Sequence, residues 1–378
     1  MVARLNRIGS VMSPAFSIKF FSPLMVAGLM LSACGPRDDR KDVPQVSRET
    51  PVLTVSATGS ATLKAVLTRG QLNCGVHPGL VGFSYQDNSG HWRGFDVDFC
   101  RAMAAAIFSD SERVTFVPVS TTERFKALQT GKVDVLWRST SWTLSRDAGE
   151  GIDFAGVNYY DGQGFLVRKS LRLNSATELQ GARICVQTGS TSELNLTDYF
   201  RTKGLNFVPV VVKSEDEGRD NYAKGSCDAL TADVSALAAA RSTLNDPQGH
   251  MILPEIISKE PLGPVVRQGD DQWADIVRWT LYATIMGEEL GITRGKIDDI
   301  HADSKNPEIK RLLGVDGNLG GGLGLGPEWA YNILDQVGNY GEIFEHNIGE
   351  SSPLRLSRGL NAQWNASERG LIYAPPVR

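Results

Sequence analysis

Short apolar runs alternate with stretches of helical period along this chain, and their order is the first structural signal. Leu72-Asn73-Cys74-Gly75-Val76, Val114 to Val119 and Val133 to Trp137 have strand length and strand composition. Between the first two, Gly94-Phe95-Asp96-Val97-Asp98 opens a stretch in which Val97, Cys100, Ala104 and Ile107 recur at helical spacing. A further helix is expected around Glu123 to Gln129, stopped by Gly131. The order β-α-β-α-β predicts a mostly parallel sheet covered by helices.

The same grammar then repeats. Strands are expected at Ala182 to Gln187, Phe207 to Val212 and Cys227 to Ala232, with helices starting at Ser190 and spanning Glu215 to Lys224. Two extended segments join the units. One is Tyr159-Tyr160-Asp161-Gly162-Gln163-Gly164 with Phe165 to Arg168 beyond it, and the other is Lys259 to Pro264 followed by Val265-Val266-Arg267. Two crossings mean that the chain enters a second lobe and returns to the first, which gives a hinge with a cleft between lobes. Lobe 1 is expected over 61–166 and 263–378, with a C-terminal extension, and lobe 2 over 167–262. In the return portion, Trp273, Val277, Leu281 and Ile285 mark a long helix from about Gln272 to Met286, and Pro327 starts another that Gly338 ends. The Gly314–Gly326 stretch lacks the strand-then-helix context of a nucleotide loop and reads as a flexible connection.

The N-terminus follows a different rule. Arg4, Arg7 and Lys19 precede an apolar stretch, Phe20 to Met30, that is too short and too broken to span a membrane. Leu31-Ser32-Ala33-Cys34 looks like a bacterial lipoprotein cleavage box, so residues 1–33 are expected to be an export signal and Cys34 the lipidated residue. Residues 34–60, rich in Asp, Arg, Pro, Ser and Thr, read as a tether. The leader holds three basic groups and no acids, so its removal takes the formal charge from −4 to −7. An acidic chain with no Lys/Arg run does not suit nucleic acid. In an oxidising compartment the remaining Cys74, Cys100, Cys185 and Cys227 suggest two disulfides, with three connectivities possible. No Cys or His spacing supports a metal site, and no cofactor motif appears.

Candidate chemistry gathers at strand ends, where small ligands sit in α/β folds. After Val133 to Trp137 come Arg138, Ser139, Thr140, Ser141, Trp142 and Thr143, and the segment closes on Arg146. Hydroxyl and backbone donors beside a guanidinium fork suit a carboxylate. Ser190 and Glu193 have the spacing of a capping box, and a helix start favours an anion. Asp233 follows a strand and can hold an ammonium. Together these groups read as a clamp for a zwitterion, whose opposite charges a closing cleft would desolvate in matched pairs.

Four stretches carry a family resemblance: GFDVDF at 94–99, Ser139-Thr140-Ser141 with Arg146, QTGST at 187–191, and the strand end from Asp228 to Asp233. They resemble the periplasmic solute-binding proteins of amino-acid ABC importers. NYYDGQGFLV at 158–167, PEIISKEPLGPVVRQGDDQW at 254–273, GNYGEIFE at 338–345 and YAPPVR at 373–378 are similar to the general L-amino-acid-binding branch of that family. The resemblance runs from about Leu63 to Arg378. It implies a two-lobed (type II) α/β binding protein, not an enzyme, that passes a free L-amino acid to a membrane permease with an ATPase partner. A monomer held in the cell envelope by its lipid anchor is the expected form.

Carried over by residue, the resemblance makes Arg146 the carboxylate ligand and Ser141 a backbone and hydroxyl contact. It puts Ser139 near the α-amino group, Thr191 and Ser190 on the carboxylate from the second lobe, and Asp233 on the ammonium. It also implies a Cys185–Cys227 disulfide, with Cys74 and Cys100 left as the second pair. Where relatives stack aromatics on the ligand side chain, this chain has Leu80 and Thr121, which implies a broader range. Arg138 and Trp142 are further candidates for the side-chain pocket, and Arg138 would favour acidic or amide ligands. The competing functions are a dehydratase-like enzyme on the same scaffold, for which no poised acid–base pair is visible, and an amino-acid sensor.

Overall fold

A computed structural model of the protein describes residues 59–378. The leader, Cys34 and nearly all of the tether lie outside the described residues. The described chain opens with a helix, Ala61–Arg69, that the apolar pattern did not announce, and its N-cap Ser60 accepts the N–H of Leu63.

The elements then follow the predicted grammar. Strand β1 (Leu72–Val76) is followed by a small hairpin of β2 (Tyr85–Gln86) and β3 (Trp92–Arg93), then β4 (Val114–Pro118), β5 (Val135–Leu136) and β6 (Ile152–Phe154). The chain crosses as β7 (Tyr159–Asp161) and builds β8 (Gln163–Arg168), β9 (Arg183–Gln187), β10 (Val208–Val212), β11 (Ala229–Asp233) and β12 (His250–Ile252). It returns through β13 (Glu260–Leu262) and rejoins the first sheet as β14 (Val265–Arg267). Two five-stranded sheets result, in the orders β4-β1-β5-β14-β6 and β10-β9-β11-β8-β12. β7 and β13 pair antiparallel with each other, so the two crossings form one ladder.

The sheets are mixed, which corrects the expectation of mostly parallel ones. β1 runs parallel to β4 and β5, and β9 to β10 and β11. β14 is antiparallel to β5 and β6, and β8 to β11 and β12. The reversed strand in each sheet is the first one laid down after a crossing, when the chain arrives from the other lobe. β8 belongs wholly to the second sheet, so the crossing ends near Gly162, ahead of the expected 166/167 limit.

Both disulfides are formed. Cys74–Cys100 ties β1 to the helix Phe95–Phe108, and Cys185–Cys227 ties β9 to the approach to β11, with Cα separations of 6.0 and 5.7 Å. The first lobe is centred on aromatics: Phe95 meets Phe83, Phe99, Tyr159 and Tyr340 edge-on, with centroids 5.1 to 6.0 Å apart. Gly94 makes this possible. Its φ of 127° lies in the left-handed half of conformational space, and a Cβ there would stand 2.2 Å from the carbonyl oxygen of Phe83.

The glycine-rich stretch is not the open connection expected of it. Gly320–Leu323 forms a helical turn, Gly320 is buried, and a Cβ on it would meet the Gly326 oxygen at 2.2 Å. The missing side chains let this turn press onto its neighbours. The C-terminal extension packs back on lobe 1, where Arg358 makes two contacts with Glu288, at 3.0 and 3.1 Å. Just beyond, the Asn361 amide pairs with the hinge strand: Oδ1 accepts the N–H of Tyr160 at 2.7 Å, and Nδ2 donates to its carbonyl at 3.0 Å. A side chain thus does the work of a third strand on the ladder.

Gly94→Ala is expected to destabilise the protein by more than about 2 kcal/mol, because strain and a backbone clash add. Asn361→Ala is expected to cost about 1–3 kcal/mol by leaving buried hinge groups unpaired. Urea unfolding midpoints measured on the two variants check both.

Candidate ligand cleft between the lobes

The segment after β5 folds as a loop zipped to the returning strand. Trp142 donates its N–H to the Pro261 oxygen at 2.8 Å, Gly263 donates to that of Thr140 at 3.0 Å, and Ser141 bridges Leu262. Ser139 takes a φ of 44°, rare outside glycine, and its hydroxyl donates to Asp96 Oδ2 at 2.8 Å. Asp96 also faces Asn158 Nδ2 at 3.4 Å, and burial raises its carboxyl to about 6 despite these donors. Gly94, by placing Asp96 in the first helical turn, therefore helps shape a loop of the cleft.

A cleft enclosing about 1000 Å³ of atom-free space, open solvent included, is lined from both lobes. Lobe 1 supplies Leu80, Thr121, Arg138, Ser139, Ser141 and Arg146, and lobe 2 supplies Ser190, Thr191 and Asp233. Every clamp residue named from the sequence lines this one space. Arg146 starts no ion pair among the described residues. Its Nη1 donates to the Ser141 oxygen at 2.9 Å, and burial lowers its pKa while Glu260 and Asp233 oppose that. Ser190 caps the helix Thr191–Lys203, accepting the Glu193 N–H at 3.3 Å. The reciprocal half of the expected capping box is shifted, because Glu193 Oε2 accepts from Gly189 and not from Ser190. Thr191 donates its hydroxyl to Glu260 on β13 at 2.9 Å.

Asp233 ends β11 and caps the helix Val234–Ser242 without a side-chain capping bond. Its pKa stands well above the usual carboxylate value, raised first by burial and then by repulsion from Asp161, Glu260 and Glu215. Asp161, on the hinge strand, rises to about 6, pushed up first by burial and further by Glu260 against the hydrogen bonds it accepts from Ser235 and Gly162. A cation placed among these acids would lower both, so its binding is coupled to proton release.

The side-chain candidates divide. Arg138, Leu80 and Thr121 line the cleft, and Arg138 spends Nε on the Val119 oxygen and Nη2 on Thr121 Oγ1, both at 2.9 Å. It therefore does not hydrogen-bond a neighbouring acid, and burial lowers its pKa to about 10. Trp142 is not in the pocket. Its ring is partly exposed and stacks on the buried Phe154, with centroids 5.3 Å apart. Five charged or titratable cleft residues escaped the sequence reading: His77, Arg124, Glu215, Asp216 and Arg219. His77 Nε2 reaches Glu215 Oε1 across the cleft at 3.6 Å. Arg124 follows the end of β4, so the strand-end rule applied at Asp233 and Arg146 pointed there too.

No group of three or more His, Cys, Asp or Glu among the described residues could hold a metal, and no described helix is long and apolar enough to cross a membrane. The fold and its charged inter-lobe cleft define a hinged, two-lobed binding protein. The chain belongs to the bacterial extracellular solute-binding proteins, family 3, whose model matches residues 72–291. It is 55% identical to the general L-amino acid-binding periplasmic protein AapJ of Rhizobium johnstonii, over 85% of this chain and 94% of that protein. Identity to the glutamate/glutamine/aspartate/asparagine-binding protein BztA of Rhodobacter capsulatus is 51%, over 86% and 96%. A solved periplasmic binding protein of Brucella ovis with glutathione bound superposes with a TM-score of 0.82 at 53% identity, covering 84% of this chain and 99% of that one. These relatives are named as binding proteins, not enzymes.

Asp161 and Asp233 yield a pH prediction. A carboxyl whose folded pKa exceeds its unfolded value binds more protons when folded, so its contribution to stability falls as pH rises between about 4 and 6. In the unliganded protein Asp161→Asn removes that contribution. The variant should unfold at higher urea than the native protein at pH 7, and the gap should close towards pH 4.

Proposed function

We propose that the cleft captures a free L-amino acid by its two charged groups and that the protein delivers it to the permease and ATPase of an ABC importer. The observation that carries this is the placement of Arg146 and Asp233. They face one cleft from different lobes, and neither is in an ion pair among the described residues. A zwitterion supplies the charge that each lacks.

In this reading Arg146, the Ser141 hydroxyl and backbone, and the N-terminus of the helix capped by Ser190 with Thr191 hold the α-carboxylate. Asp233 and Ser139 hold the α-ammonium. Contacts to both lobes draw the hinge towards a closed state, because only closure satisfies both charges at once. The names of the two curated relatives support amino acids as ligands, and that of the Rhodobacter protein supports an acidic or amide preference, with Arg138 lining the side-chain pocket. A monomeric state and a periplasmic location with lipid at Cys34 complete the reading.

The test is calorimetric titration of the purified protein, stripped of bound ligand, against the common L-amino acids. Arg146→Ala should weaken every amino acid that binds by at least about 100-fold, since it leaves a carboxylate without its charge-assisted partner. Unchanged affinity in that variant refutes the clamp.

A further inference from the structure

The C-terminal extension is left without a role by the zwitterion clamp. It lies beyond residues 72–291, which the family model matches, yet it holds a side chain against the hinge. Asn361 is 3% exposed and pairs with both backbone groups of Tyr160, the middle residue of β7. Tyr160 stands opposite Pro261 in the ladder, and Pro261 has no N–H to offer it. The N–H and carbonyl of Tyr160 therefore face the outer edge, where an edge strand ordinarily meets water.

Asn361 is itself anchored. Its N–H donates to the Arg358 oxygen at 2.7 Å, and its carbonyl accepts from Arg358 Nε at 2.9 Å. The same guanidinium grips Glu288, near the end of the long helix Asp271–Glu289, and lies over the rings of Tyr340 and Phe344 at 5.1 and 4.8 Å. Gln363 adds a bond from Nε2 to the Ile285 oxygen on that helix at 2.9 Å. A chain of contacts thus runs from the body of lobe 1 to the backbone of Tyr160. The other hinge strand is held at the matching residue, because the Pro261 oxygen accepts the N–H of Trp142.

The next rung of the ladder is tied to lobe 2. Glu260 accepts from Thr191, Asn195 and Ser258 at 2.9, 2.8 and 2.7 Å, and Asp161 accepts the Ser235 N–H at 3.2 Å. Tyr160 and Pro261 therefore move with lobe 1, and Asp161 and Glu260 with lobe 2. A change of lobe angle that keeps all these bonds is absorbed between the two rungs, where both strands bend together. The torsions available there are ψ of Tyr160, φ of Asp161 and ψ of Glu260, since the Pro261 ring fixes its own φ. Without Asn361, Tyr160 joins the flexible part. The lobes then splay and twist along paths that do not bring Arg146 and Asp233 onto one ligand.

We infer that Asn361 is a positioning residue for ligand capture: it confines hinge bending to the step between the Tyr160–Pro261 and Asp161–Glu260 pairs and keeps the unliganded lobes within reach of the closed arrangement. This rests on the capture reading proposed above. Observed affinity is the intrinsic affinity reduced by the fraction of molecules competent to close. A loosened hinge lowers that fraction, and it does so equally for every ligand.

The probes are L-glutamate and L-glutamine, which share the zwitterion and the chain length and differ in side-chain charge. Both are titrated calorimetrically into the native protein and into Asn361→Ala, at a temperature where the variant is folded. Both dissociation constants should rise by the same factor, at least about fivefold. Small-angle scattering of the unliganded variant should give a larger radius of gyration than that of the native protein. A merely structural Asn361 would lower the unfolding midpoint and leave the constants and the radius alone, and that result overturns the inference. Constants that rise by different factors overturn it too, because they report a contact with the ligand side chain. If Asn361→Ala does not fold, Arg358→Lys, which cannot hold Glu288 and the Asn361 oxygen together, is read in the same way. A native protein that binds neither probe counts against the capture reading, and the scattering comparison then decides the hinge by itself; native binding with unmoved constants in the variant refutes the role of Asn361 alone.

Discussion

The antiparallel pairing of β7 with β13 is the contact on which the rest of the molecule depends. It is only three residues long, yet both crossings of the chain run through it. The hydroxyl loop is zipped to β13 through Pro261 and Gly263, and the C-terminal extension is sewn to β7 through Asn361. From the second lobe, Thr191 and Asn195 both donate to Glu260 on the ladder, at 2.9 and 2.8 Å. The Ser235 N–H at the start of the helix after β11 reaches Asp161 at 3.2 Å. A short ladder satisfied on both edges can bend as a unit without freeing buried polar groups.

That ladder also explains the electrostatics. It carries two acids, Asp161 and Glu260, whose fields reach Asp233, as does that of Glu215, while Arg124, Arg138 and Arg146 line the cleft from the other lobe. The unliganded protein therefore keeps like charges close together on each side of the cleft. Such an arrangement costs stability on its own, and it is relieved by a solute whose charges are opposite and suitably spaced. The raised carboxyls and the lowered guanidinium values are two signs of the same desolvated, unmatched state.

Much of this was legible in the linear chain, for local reasons. The strand runs at 72–76 and 208–212, the cap at Ser190 and the long helix at Asp271–Glu289 follow from periodicity and capping chemistry within a few residues of each other. Arg146 and Asp233 could be picked out because strand ends in α/β folds face ligands. The ring of Trp142 was misread because nothing in its neighbours reveals that the fold brings Phe154 against its face, away from the cleft lining. The glycine run was misread because flexibility in sequence says nothing about what lies close enough to exploit a missing Cβ.

The sequence by itself determined the alternation of elements, the two crossings and the residue types able to hold a zwitterion, since these depend on period, length and chemistry along the chain. Tertiary structure alone decided which way β8 and β14 run, which charges share the cleft, and that Arg124 stands there unpartnered. Those outcomes depend on distances between residues far apart in sequence, and a buried charge is defined by what surrounds it, not by what precedes it.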